Sequence, residues 1–102
     1  MDYETRRYLQ SLAIEVDAIL QDELSRSGLD YDFAEARILN IRTVGVQGDD
    51  KTYLYPAEIN VRKNGRVVWD PDFIASVSSR ITNNVRGVNR VVYVLEKSGG
   101  YK

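Results

Sequence analysis

Between Thr52 and Arg62, apolar residues recur at strict period two: Tyr53, Tyr55, Ala57, Ile59 and Val61. That is the period of a β-strand with one face turned to a core. Lys63-Asn64-Gly65-Arg66 follows directly. Asn-Gly supplies the two positive-φ residues of a type I′ turn, so the chain is expected to fold back as a hairpin. Val67-Val68-Trp69 is then a short third strand. Pro56 interrupts the alternating strand and has no N–H to give, which predicts an edge strand or a bulge at that point.

A sheet with one apolar face needs a cover, and two segments have the right period. Residues 4–26 carry Leu9, Leu12, Val16, Ile19, Leu20 and Leu24 on one helical face, with Arg6, Arg7, Glu15, Asp22 and Glu23 around the rest. Gly28 is a stop signal behind them. Asp70-Pro71 reads as an N-cap followed by a first helical residue that needs no N–H. Ile74, Val77, Ile81 and Val85 form the second stripe, and Gly87 ends it. Ile38 to Val46 reads as the first strand, Gly48-Asp49-Asp50 as a turn and Asn89 to Leu95 as the last strand. Asp30 to Ala36 has no clear period and reads as a loop, and 98–102 as a frayed tail. The expectation is one α+β domain over residues 1–102. Its order is α-β-β(-β)-α-β, with one antiparallel or mixed sheet and two helices on one face.

Composition narrows the chemistry. The 102 residues contain no Cys and no His, and charges sum to −1. Missing His and Cys disfavour a hydrolytic triad or a conventional zinc site, and no metal site is expected. The charge balance does not suit a polyanion binder, so nucleic acid is not an expected partner. No apolar run approaches bilayer length, so no membrane partner is expected and the expected location is the cytoplasm.

Three clusters could carry function. Gln47, Gly48, Asp49 and Lys51 gather at a strand–turn–strand. An amide there can read a purine edge and an ammonium can meet a phosphate, although Asp49 also suits ordinary turn chemistry. Arg80, Arg86 and Arg90, with Asn83 and Asn89, gather around the second helix end. They could meet phosphate, pair across a dimer or cap free carbonyls, and capping fits Arg86 best. Tyr53, Tyr55, Tyr93 and Trp69 fit a core or an interface better than a base-stacking platform. Asp70, Asp72 and Asp49-Asp50 read as caps and turns rather than cation ligands.

These segments also resemble a known family. Val44-Gly45-Val46-Gln47-Gly48-Asp49, with Lys51-Thr52-Tyr53 after it, is similar to the first signature turn of the C-terminal dimerisation domain of GMP synthetase. Gly87-Val88-Asn89-Arg90-Val91-Val92-Tyr93 is similar to the second. Residues 13–24 resemble that domain's first helix and 77–86 its second. The Asn64-Gly65 hairpin and the tail from Glu96 to Lys102 depart from it. The resemblance implies a homodimer that helps cradle xanthosine monophosphate (XMP) beside an ATP-pyrophosphatase domain or subunit. It implies XMP contacts at Gln47, Gly48, Asp49, Lys51, Arg90 and Lys97, and a dimer interface at Tyr53, Tyr55, Arg80, Asn89 and Tyr93. No catalytic residue, cofactor or activity is expected of this chain alone, because ATP and Mg²⁺ belong to the pyrophosphatase part. A weaker likeness to the K-homology outline would imply a nucleic-acid module, but the Gly-x-x-Gly loop between helices is missing.

Overall fold

The computed structural model describes residues 3–41, 43–44 and 53–96, without the side chains of 43, 44 and 53. Seven elements follow one another: α1 (Tyr3–Ser27), β1 (Phe33–Ile38), β2 (Thr43–Val44), β3 (Tyr53–Lys63), β4 (Arg66–Val67), α2 (Pro71–Asn84) and β5 (Val88–Tyr93).

The alternating strand is the centre of the sheet. β3 pairs antiparallel with β1, β2 and β4, and parallel with β5. The sheet is therefore mixed. The parallel pair needs a crossover, which α2 supplies. Pro56 does not put β3 at an edge. The register to β5 slips between Tyr55 and Pro56, so the missing donor is absorbed by a bulge. Asn64 and Gly65 both have positive φ, 53° and 77°, as the two-residue hairpin requires.

The segment expected to be a loop before Ala36 is β1 instead, and the strand expected over 38–46 divides into the end of β1 and the short β2. Phe33 to Ile38 does alternate, but its inward residues are Ala34, Ala36 and Ile38. Small alanines inside and a half-exposed phenylalanine outside hide the period from a hydrophobicity reading.

Both helices lie on one face of the sheet. Leu12, Val16 and Leu20 of α1 and Phe73, Val77 and Ile81 of α2 pack with Tyr55, Ala57, Ile59 and Val61 of β3 into one core. α2 begins as expected, with the Asp70 carboxylate accepting from the Phe73 N–H at 2.9 Å. It ends at Asn84, and Gly87 turns the chain with φ 97°. The helices are clasped by polar groups at their rim. The Arg80 guanidinium lies between Asp22 Oδ2 and Glu23 Oε2, and the Ser76 hydroxyl donates to Glu23 Oε1 at 2.8 Å. Among the described residues no helix is long and apolar enough to cross a membrane.

Candidate functional site

Because β3 and β5 are parallel, both begin at the same end of the sheet. Tyr55 stands beside Val88, and its N–H donates to the Gly87 carbonyl at 2.8 Å. Pro56 stands beside Arg90. Val44 and Tyr53 are cross-strand partners, so the connection 45–52 leaves and re-enters at this end of β3. The two sequence segments that attract attention are thus attached to one sheet end. Gln47, Gly48, Asp49 and Lys51, together with Lys97, lie outside the described residues. Arg90 is exposed there.

Arg90 belongs to the sheet face that the helices leave open. Register puts Phe33, Glu35 and Arg37 of β1, Glu58, Asn60 and Arg62 of β3, and Arg90 and Val92 of β5 on that face. Arg37 reaches Glu58 at 3.5 Å. Asn60 is only 5% exposed although it lies on this side, and its Oδ1 accepts from Arg62 Nε at 2.8 Å. Arg62 Nη2 is buried and meets no acceptor among the described residues. Sequence reasoning passes over Glu58, Asn60 and Arg62. Their signal is nonetheless present, since they are the polar partners in the alternation of β3.

The other residues expected at an interface divide. Tyr55 is 5% exposed and faces the helices, so it is a core residue of its own chain. Its ring meets Tyr8 edge to face with centroids 6.2 Å apart. Arg80 is engaged by α1, as above. Asn89 is half-buried, and the side chain of Tyr53 lies outside the described residues. Tyr93 packs edge to face with Trp69 at 6.3 Å, and its hydroxyl donates to the Val68 carbonyl at 2.6 Å. Burial pushes the Tyr93 phenol up to about 12, with the Asp70 carboxylate adding to the shift and Arg62 opposing it. It is therefore a neutral hydrogen-bond donor near neutral pH. Asp70 is a helix cap, as its sequence context suggests. A cleft of about 500 Å³ lies away from this end, between α1 and α2. Several of its polar groups are already committed, Asp70 to the cap and Ser76 to Glu23. Among the described residues no three potential ligands converge to hold a metal ion.

The described residues form an α+β fold, a mixed sheet covered by two helices on one face, with the two signature segments attached to one sheet end. Residues 22–99 match the family described as the GMP synthase C terminal domain, and the chain belongs to that family. The glutamine-hydrolyzing GMP synthase of Gloeothece citriformis is 40% identical over 87 residues, covering 78% of this chain and 16% of that protein. That of Brucella ovis is 40% identical over 98 residues, covering 87% of this chain and 18% of that protein. That of Nostoc punctiforme is 39% identical over 89 residues. The chain thus spans less than a fifth of the length of these relatives.

Proposed function

We propose that the chain completes an XMP-binding site for a GMP-forming enzyme and joins with a second copy of itself, without catalysing any step alone. The observation that supports this reading is the attachment of both signature segments to one end of the sheet, through Val44 and Tyr53 and through Val88, in a member of this family. Gln47 offers a donor and an acceptor to a purine edge. Lys51, Arg90 and Lys97 complement a phosphate, and Gly48 and Asp49 are proposed as further XMP contacts. ATP, Mg²⁺ and the adenylylating chemistry come from a pyrophosphatase domain or subunit. The second copy is proposed to lie on the open sheet face, where Phe33 and Val92 are 44% and 40% exposed and charges of both signs alternate.

NMR titration of the chain with XMP tests the site. Amides of 53–55 and 88–92 should shift at millimolar nucleotide, and Arg90→Ala should weaken the effect. No shift in either segment would remove the nucleotide reading. Light scattering tests the assembly, with a mass near twice 11.6 kDa expected. A strictly monomeric mass at micromolar concentration would remove that part.

A further inference from the structure

Tyr8 lies on α1 ahead of the residues that the family match covers, and it is 43% exposed. A surface tyrosine of that kind ordinarily needs no explanation. Its hydroxyl end, however, occupies the space a side chain at position 87 would take. A Cβ on Gly87 would run into Tyr8 Oη, with Tyr8 Cζ at 3.2 Å and Leu12 Cδ1 at 3.3 Å behind it. Gly87 also has φ 97°, which by itself calls for glycine, while the Tyr8 hydroxyl, at the end of a half-exposed side chain, would have to swing aside for any other residue.

The contact does not stop at Gly87. The Tyr8 ring also meets that of Tyr55 edge to face, and the Tyr55 N–H donates to the Gly87 carbonyl at 2.8 Å. Helix α1, the start of β3 and the turn before β5 therefore close on one another in a ring of three contacts. Arg90 is three residues beyond Gly87, on β5. The Tyr8 carbonyl is itself engaged by the Ser11 hydroxyl at 2.7 Å, so the backbone that carries the ring is held as well.

We propose that Tyr8 is a positioning residue for the Gly87–Arg90 turn. It presses Gly87 against the start of β3 and so fixes where Arg90 emerges on the open sheet face. The inference draws on the nucleotide reading only for what the positioned Arg90 would then do. Its test needs no nucleotide, so the two can fail separately.

Amide hydrogen exchange on the whole chain gives the readout. The Tyr55 N–H reports the contact with Gly87, and the Val94 N–H, bonded to Ile59 O at 2.9 Å, reports the far end of the same sheet. In Tyr8→Ala, exchange at Tyr55 should quicken about tenfold or more while Val94 stays within about threefold, as expected for a local opening. Tyr8→Phe keeps the ring against Tyr55 but removes the hydroxyl beside Gly87, so it should quicken exchange at Tyr55 by less than Tyr8→Ala does and leave Val94 close to the parent. A second measurement uses Gly87→Ala. Its loss of protection at Tyr55 should be smaller in the Tyr8→Ala background than in the parent, because part of the damage is collision with the ring. Unchanged exchange at Tyr55, equal quickening at both amides, or additive effects of the two substitutions would each overturn the proposal.

Discussion

β3 shows two different surfaces along a single strand. Toward the helices it presents Tyr55, Ala57, Ile59 and Val61, the last three with no exposed surface. Away from them it presents Glu58, Asn60 and Arg62, linked to neighbours by an ion pair and a hydrogen bond, with one guanidinium nitrogen left over. The first surface is finished by its own chain. The second mixes polar groups that are largely out of water, Asn60 at 5% exposure among them, with exposed Phe33 and Val92 beside them. Packing alone accounts for the first, whereas the second leaves the apolar Phe33 and Val92 side chains partly in water, where the proposed second copy would cover them.

The covered face should give the largest response. Ile59→Ala removes a fully buried side chain between the two helices and leaves a cavity. A stability loss of about 3 kcal/mol is expected in urea unfolding. A loss below about 1 kcal/mol would mean that the helix layer collapses onto the sheet more readily than a packed core does.

The cover itself depends on how α2 starts. Asp70→Ala removes the acceptor for the Phe73 N–H, one turn from the buried Phe73 ring. The expected cost is about 1 kcal/mol. Asp70→Asn should recover most of it, since the amide oxygen can still accept; failure of that recovery would point to charge rather than capping.

Much of the covered face is legible in the order of residues alone, because burial leaves a period there. The Val77 and Ile81 stripe, the Asp70 cap and the Asn64-Gly65 turn all follow from local chemistry. β1 escapes such a reading because Ala34 and Ala36 are too small to mark a core face, although Phe33 outside them is large. The parallel placement of β5 has no local signature at all, since it is decided by the path of α2. The open face is harder still. Glu58, Asn60 and Arg62 look like any solvated side of a strand until register sets them beside Arg37, Glu35 and Val92. The turn residues Gln47 to Lys51 stand out by type and by resemblance, and Arg90 is the one expected nucleotide contact among the described residues.

Substitution on the open face sharpens the contrast. Phe33→Glu combined with Val92→Glu should change the stability of the isolated chain by no more than about 0.5 kcal/mol, because both side chains are already partly in water. The same pair should shift the proposed dimer to monomer in light scattering. If association persists while stability falls, the open face is part of the chain's own packing, and the contrast between the two surfaces fails.

The smallest effect belongs to the clasp at the rim of the cover, where Arg80 bridges to Asp22 and Glu23. The hydrogen bond from Arg80 holds the Asp22 carboxyl below its ordinary value of 3.8, with the nearby Arg26 assisting and partial desolvation opposing. A carboxyl whose folded value is depressed adds stability that is present above the ordinary value and lost as pH falls through the folded one. The clasp should therefore be intact at neutral pH and begin to weaken only as the solution is taken below about pH 4. Arg80→Met removes the hydrogen bond and keeps an apolar stem over the helix. Its stability should fall less steeply than the parent's over that acid range, and the two curves should draw together. Since these groups sit at the surface, added salt should shrink the difference. Identical acid slopes for the two chains would show that α1 and α2 are held together by their buried stripes alone, with the polar rim contributing nothing measurable.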